Sequence, residues 1–194
     1  MRILVLLVLG LLTACHSLPP LPEWQSPEGR EHPKLGLIVD LRSDAVLTPA
    51  QLVAELQAQD RLLVGERHDN PDHHALQLWL LRALAEERPQ GSLLLEMLDP
   101  QQQALVDAVR REVREGRAPA DLPEALGWQR GWDWAQYGAL VSHALAQPYP
   151  LLHANLGRDE IMSIYRAAPS LQGRKSAAAA VSEALLAQIE VSHC

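Results

Sequence analysis

Residues 65–74, which read GERHDNPDHH, contain the side chains best suited to chemistry. Five of them lie within nine positions: Glu66, His68, Asp69, His73 and His74. Carboxylates and imidazoles transfer protons in catalysis and bind borderline divalent metals such as zinc, manganese and iron. Any one of these residues could instead belong to a solvated loop or cap a helix, but the density of the group favours a functional site.

The flanking residues predict how this group is presented. Residues 62–64 form a short, branched apolar run that ends at Gly65, which predicts a buried strand leading into a polar loop. Asn70 is a good N-cap, Pro71 suits the first helical position and Asp72 complements the positive helix end, so a helix should follow. In open α/β sheets, ligands bind at the carboxyl ends of parallel strands.

The same alternation of strand and helix continues along the chain. Strands are predicted at 37–41, 62–64, 92–95 and 149–154, and helices begin at Thr48, Pro71, Asp99 and Asp133, with a short one near Pro123. The expected fold class is therefore α/β, with a parallel-sheet core of βαβ units. Residues 176–189 are rich in alanine and predict an α-helical cap or insertion.

A second carboxylate should lie near the first. Glu96 ends the third predicted strand much as Glu66 ends the second. Two like charges at one sheet edge need a metal, a shared proton or an arginine, such as Arg67 or Arg158, between them. Glu66, His68 and Glu96 could form a divalent-metal site whose open positions activate water. These three are the catalytic and metal-binding candidates, and a salt-bridge network is the alternative.

The N-terminus has the pattern of a targeting segment. Arg2 precedes an apolar run and the tetrapeptide Leu12-Thr13-Ala14-Cys15, which resembles the lipobox of bacterial lipoproteins. That resemblance implies cleavage before Cys15 and acylation of Cys15, which would anchor the protein to a membrane. The chain is thus divided into a signal peptide (1–14), a proline-rich tether (15–34) and one α/β domain (35–194). Fully extended, the tether would reach ~50 Å from the membrane.

The composition limits the partners. The net charge is −7, and acidic and basic residues are interspersed with no basic run after Arg2, which argues against nucleic acid. With 47% hydrophobic residues, a chain of 194 residues can bury one sizeable core.

Four motifs carry a resemblance to a known family. Residues 65–74 are followed by Leu95-Glu96-Met97, by Trp134-Ala135-Gln136-Tyr137 and by His153-Ala154-Asn155-Leu156-Gly157-Arg158. From about Leu35 to its end the chain resembles the ChaN family of haem-binding lipoproteins, which is related to the Tiki proteases and erythromycin-esterase-like proteins. The resemblance implies haem at a homodimer interface, with the iron held by a tyrosine and the propionates by basic side chains. It also implies an outer-membrane lipoprotein that faces the periplasm and serves haem and iron uptake.

The chain offers three tyrosines for the iron: Tyr137, Tyr149 and Tyr165. Tyr149 stands between two prolines and is the weakest candidate, so Tyr137 and Tyr165 remain, with ordinary packing as the alternative for each. Arg158 and His73 complete the cofactor-binding candidates, although His73 could equally lie at the edge of the core. Ser192-His193-Cys194 resembles a His-Cys pair that relatives continue with a further helical stretch, which implies a domain incomplete at its C-terminus.

Three functions therefore compete. The preferred one is a lipid-anchored haem-binding protein of iron uptake. The second is a metal-dependent hydrolase that uses Glu66, His68 and Glu96 with a divalent metal. The third is a lipoprotein scaffold without chemistry.

Overall fold

The computed structural model describes residues 18–167 and 178–193. Within these ranges the chain forms four strands: β1 (Ile38–Asp40), β2 (Ala45–Leu47), β3 (Leu93–Leu95) and β4 (Leu151–His153). It also forms seven helices: α1 (Pro49–Gln57), α2 (Pro71–Glu87), α3 (Gln103–Arg114), α4 (Leu122–Ala125), α5 (Trp134–Ala146), α6 (Arg158–Ala167) and α7 (Ala179–His193). No helix in this part of the chain is long and apolar enough to cross a membrane.

The parallel pair β3 and β4 is the centre of the fold. Leu93 pairs with Leu151 and Leu95 with His153, and the connection between the strands passes through α3, α4 and α5. This is a βαβ unit of the predicted kind, because parallel strands need a long crossover and helices supply it. The α/β class predicted from the sequence is confirmed.

The predicted strand at residues 62–64 is wrong. The backbone there pairs with no strand of the described chain, the side chain of Leu63 is fully exposed and that of Val64 is 54% exposed. Only Leu62 reaches an apolar surface, where it packs against the cluster around Trp79. The segment is an extended connection from α1 to the polar loop. Only one of its three side chains is packed, which is too little apolar contact to hold it as a buried strand.

The first strand also differs from the expectation of parallel βαβ units. Residues 38–40 are a strand as predicted, but they pair antiparallel with β2, and Asp40 lies opposite Ala45. Only four residues join the two strands, and Asp44 among them has a positive φ of 56°. So short a connection permits an antiparallel hairpin and no parallel crossover.

The helices begin at the capping residues predicted from the sequence, except for one helix that begins later than expected. Thr48 and Gln51 form a reciprocal capping box at α1, and the Asn70 side chain accepts the backbone N–H of Asp72 at α2. The helix expected from Asp99 begins later, at Gln103. The Asp99 carboxylate instead accepts the backbone N–H groups of residues 101 and 102 and closes a turn.

Two apolar clusters hold the helices in place. The larger one joins β3 and β4 to α3 and α5, with Val106, Leu140, Leu145 and Leu151 almost completely buried. The smaller one joins α1 to α2 through Val53, Trp79, Ala83 and Leu84. Helix α2 therefore contacts both α1 and α5, and its first turn carries the histidines of the polar loop.

The proline-rich segment does not project as an extended tether over its described part. Pro19 accepts a hydrogen bond from Trp79 Nε1 at 2.8 Å. Asp72 accepts the backbone N–H groups of Gln25 at 2.6 Å and Ser26 at 3.1 Å. Residues 19–26 are thus fastened along α2, and the reach of ~50 Å expected for a free tether does not apply.

Replacing Asp72 with alanine should release this segment. Hydrogen bonds to a charged group contribute about 1.5–3 kcal/mol, so Asp72→Ala should lower the free energy of unfolding by about 2 kcal/mol and speed proteolytic cleavage within residues 19–26. Limited proteolysis with mass-spectrometric mapping of the cut sites measures this. Asp69→Ala is the matched control, because the Asp69 side chain is 79% exposed. Equal cleavage of the two variants would show that Asp72 does not fasten the segment.

Candidate functional site

A buried carboxylate, Glu66, is the centre of the site. Its side chain is 6% exposed although the loop around it is open to solvent. Tyr137 donates its hydroxyl to Glu66 Oε1 at 2.6 Å, and His68 Nδ1 lies 3.0 Å from the same oxygen. Gln77 donates its side-chain amide to Oε2. Both carboxylate oxygens are therefore engaged by hydrogen-bond partners.

Three separate segments bring these donors together. The polar loop supplies Glu66 and His68, α2 supplies Gln77 and α5 supplies Tyr137. The loop is held against α2 by two further hydrogen bonds. The backbone N–H of Arg67 donates to His73 Nδ1 at 2.8 Å, and His74 Nε2 lies 3.1 Å from the His68 carbonyl. The loop conformation is thus fixed by the first turn of the helix that follows it.

His74 is the second buried member of the cluster. It is 4% exposed, and its ring meets that of Tyr137 edge-on at 4.5 Å. Its Nδ1 lies 3.3 Å from Glu66 Oε2 but outside hydrogen-bonding geometry. His74 therefore packs against the carboxylate and supports the loop carbonyl without adding a donor to Glu66.

Glu66 is ionised at neutral pH. Burial by itself would raise the pKa of its carboxyl group, but the hydrogen bonds from Tyr137, His68 and Gln77 outweigh burial and hold the pKa below its ordinary value. Because an ionised carboxylate can only accept, the facing nitrogen of His68 must carry the proton. The neutral tautomer of His68 then has its lone pair on Nε2.

The environment has the opposite effect on Tyr137. Burial raises the pKa of its phenol first, and the hydrogen bond to Glu66 and the charges of Glu66 and Glu96 raise it further. The ring is 1% exposed. Tyr137 therefore stays protonated, and its hydroxyl is committed to the buried carboxylate.

One side of the site is aromatic and the other is open. Trp132 meets the His68 ring edge-on at 4.9 Å, and the Trp128 and Trp132 rings lie about 6 Å from that of Tyr137. The His68 side chain is 51% exposed. The imidazole of His68 is thus fixed on its Nδ1 side and accessible to a ligand on its other side.

Glu96, the third member of the predicted metal site, forms no metal-binding group with the other two in the described ranges. It is exposed at the end of β3, where its carbonyl accepts the side-chain amide of Asn155 at 3.0 Å. Its charge reaches Tyr137, so it lies near the same edge of the fold. No three side chains of His, Cys, Asp or Glu in the described ranges lie close enough together to hold a metal ion. The metal-binding and catalytic roles of Glu66, His68 and Glu96 stay predictions.

No arginine in the described ranges forms an ion pair with Glu66. Arg67 lies 3.7 Å from Asp69, with both side chains exposed. At Glu66 the expected arginine salt bridge is therefore replaced by hydrogen bonds to Tyr137, His68 and Gln77.

The predicted cofactor-binding residues lie in different settings. Tyr165 is 84% exposed on α6, and Arg158 lies exposed at the start of the same helix. His73 is half-buried, and its Nδ1 is used by the backbone of Arg67. Tyr149 is buried, and burial raises the pKa of its phenol. Cys15 lies outside the described residues.

Sequence reasoning missed two members of the cluster, Gln77 and Trp132, whereas His74 was already among the candidates of the polar loop. For Gln77 a signal existed. His74, Gln77, Leu78 and Leu81 recur at the three- and four-residue spacing of one helix face, and Leu78 and Leu81 pack on the main core. No comparable spacing pointed to Trp132, because it lies in the irregular connection before α5.

Comparison with known proteins gives one family and one solved structure. A family model described as haem-binding uptake, Tiki superfamily, ChaN matches residues 52–192. A structure titled "Cofacial heme binding to ChaN of Campylobacter jejuni" superposes with a TM-score of 0.71 at 29% sequence identity. The match covers 81% of this chain and 63% of that one, so this chain spans less than two thirds of that protein's length. No curated protein matches.

The raised pKa of Tyr137 predicts how stability depends on alkaline pH. A group whose pKa is higher in the folded than in the unfolded state stabilises the fold fully below the unfolded value, about 10 for tyrosine, and loses this contribution as the pH rises above it. The free energy of unfolding should therefore fall less steeply above pH ~10 in Tyr137→Phe than in the parent. At pH 7 the variant should be less stable by about 1–3 kcal/mol, since Glu66 loses a donor.

Urea denaturation at neutral and alkaline pH measures both effects. Tyr165→Phe is the control, because that ring is exposed, and its stability should change with pH as the parent's does. Parallel curves for the parent and Tyr137→Phe would contradict the assignment.

Proposed function

Since the chain belongs to the haem-binding uptake family of the Tiki superfamily that includes ChaN, we propose that it binds haem. The observation that carries this proposal is the match over residues 52–192, which contains the whole Glu66 cluster together with α5 and α6. The similar structure from Campylobacter jejuni, whose title names cofacial haem binding, supports it.

Helix α6 offers groups that fit a haem. Arg158, Met162 and Tyr165 are spaced by four and three residues, so they share one helix face. The Tyr165 ring is 84% exposed and Met162 is 40% exposed. Arg158, Met162 and Arg166, together with the carboxylate of Asp159, line a shallow groove of about 520 Å³, and Tyr165 lies on the same helix outside the lining of this groove. A phenol, an apolar thioether and two guanidinium groups are the chemistry needed for an iron, a porphyrin ring and two propionates.

The tyrosines are not equivalent as iron ligands. A tyrosinate oxygen is a suitable axial ligand for ferric haem, but it must be free of other partners. The hydroxyl of Tyr137 is buried and donated to Glu66, and Tyr149 is buried as well. We therefore assign ligation by tyrosine to Tyr165, with Arg158 as a partner for a propionate.

The location of the protein is part of the same proposal. The tetrapeptide at residues 12–15 supports cleavage before Cys15 and its acylation, which would anchor the protein at the outer membrane, facing the periplasm. A haem-binding domain in that place would take part in haem and iron uptake. Tyr165 lies on an exposed helix, which suits a haem site that a second protein chain completes. The homodimer implied by the family resemblance would supply that second chain.

A hemin titration tests the proposal. Adding hemin to the purified protein should produce a shifted Soret band that saturates. Tyr165→Phe should change the position of that band and weaken binding by at least ~10-fold, which is about 1.4 kcal/mol. Tyr149→Phe is the matched control and should bind hemin like the parent. A parent protein that gives no saturating Soret shift would refute haem binding, whereas a Tyr165→Phe variant identical to the parent would refute only the assignment of the tyrosine.

A further inference from the structure

Four oxidisable aromatic rings lie together beside the buried carboxylate. Tyr137 is at their centre, and the ring centroids of Trp132 and Trp128 lie 5.9 Å and 6.0 Å from its own. Trp134 continues the group, with its ring centroid 5.1 Å from that of Trp128. All four lie within residues 128–137 of a chain that contains no phenylalanine. The aromatic packing of this region therefore consists of indoles and a phenol, the side chains that can lose one electron.

The indoles connect the buried phenol with the surface. The Tyr137 ring is 1% exposed, whereas Trp128, Trp132 and Trp134 are half-buried. Gly138 provides the space for one of them, because a Cβ atom at that position would come within 2.8 Å of Trp134 Nε1. Electrons tunnel readily between aromatic rings at such short separations. An oxidant outside the protein can therefore take an electron from Tyr137 through an indole without touching the phenol.

Tyr137 also has a base for its proton. Oxidation makes a phenol strongly acidic, so the proton must leave with the electron. The hydroxyl donates to Glu66 Oε1 at 2.6 Å, and that carboxylate is ionised. By contrast, Trp128 donates its indole N–H to the carbonyl of Trp132 at 2.8 Å, and a neutral carbonyl is a much weaker base than a carboxylate. An electron vacancy formed on the indoles will therefore move to Tyr137.

The proton transfer requires no rearrangement of the site. Once the proton is on Glu66 Oε1, the carboxyl group donates the same hydrogen bond back to the phenoxyl oxygen. His68 Nδ1, 3.0 Å from Oε1, and the side-chain amide of Gln77 at Oε2 keep the carboxyl group in place. Packing alone does not call for this arrangement, because a leucine or phenylalanine would fill the space without a buried charge, which is costly.

We propose that Tyr137 is a redox-active tyrosine whose proton goes to Glu66. The indoles of Trp128 and Trp132 carry its electron to the surface. The O–H bond of the phenol breaks, an O–H bond forms on the carboxylate, and one electron passes to the oxidant. The products are a neutral tyrosyl radical, a neutral carboxyl group and the oxidant reduced by one electron. The oxidant is a high-potential metal complex that reacts at the exposed side of the indoles, so the proposal is independent of haem binding.

Flash-quench oxidation tests the proposal. A laser pulse excites tris(bipyridine)ruthenium(II) beside a sacrificial electron acceptor, and the ruthenium(III) complex so formed oxidises the protein. Tyr165 is 84% exposed and would react directly, so the Tyr165→Phe variant is the starting protein. It should give the absorption band and the electron paramagnetic resonance signal of a neutral tyrosyl radical. Tyr137→Phe in this background should lack both, whereas Tyr149→Phe, the matched control for a buried tyrosine, should keep them.

The base and the electron route have separate readouts. Glu66→Gln should slow formation of the radical by at least ~10-fold, because proton transfer to a positioned base contributes at least that much. The starting protein should also form the radical more slowly in heavy water, since a proton moves with the electron. Trp128→Phe combined with Trp132→Phe should slow the reaction, whereas Trp24→Phe, in the N-terminal segment, should leave its rate unchanged.

Each part of the proposal has a result that would overturn it. A starting protein without a tyrosyl radical, or a radical that persists in Tyr137→Phe, would overturn the assignment of the tyrosine. An unchanged rate in Glu66→Gln would overturn the assignment of the base, and an unchanged rate in the double tryptophan variant would overturn the route. Circular dichroism verifies that each variant is folded. If Tyr137→Phe does not fold, the heavy-water effect and the Glu66→Gln rate decide, since both measurements keep the phenol.

Discussion

The buried carboxylate of Glu66 is the interaction on which the arrangement of the site depends. An ionised carboxylate at 6% exposure is costly unless donors surround it. Its donors come from the loop, from α2 and from α5, so satisfying one charge fixes three segments relative to one another. Leu78 and Leu81 of α2 also pack on the core to which α5 contributes, so apolar packing and the carboxylate act on the same pair of helices.

Local signals in the sequence predicted the helices well, whereas strand pairing was not predictable. A cap acts over three or four residues, so Thr48 and Asn70 could be identified from their neighbours alone. The pairing of a strand depends on residues far away. Residues 62–64 have the composition of a buried strand, yet among the described residues no neighbour pairs with them. Residues 38–40 are a strand but find their partner in the hairpin that follows.

Sequence separation also decides which contacts of the site could be predicted. Contacts between residues close in sequence were predictable, and contacts between distant residues were not. Glu66 and His68 are two positions apart, and their contact follows from the loop itself. Tyr137 lies 71 positions from Glu66, and only the crossover through α5 brings its hydroxyl to the carboxylate. The family resemblance left Tyr137 and Tyr165 open as ligands to iron, and in the fold the hydroxyl of Tyr137 donates to Glu66. Composition identifies groups able to do chemistry, and burial decides which of them remain free.

The first turn of α2 connects the site to the N-terminal segment. Asp72 holds Gln25 and Ser26, while His74 faces Glu66. Asp72 and His74 are two positions apart, and each position turns the helix by ~100°. Their side chains therefore lie on opposite sides of the helix. The N-terminal segment and the Glu66 cluster therefore lie on opposite sides of α2. If Cys15 carries a lipid as we propose, only three residues separate it from the first residue fastened to α2, Pro19. The side of α2 that holds this segment would then lie next to the membrane, and the Glu66 cluster would lie on the side of α2 that faces away from it.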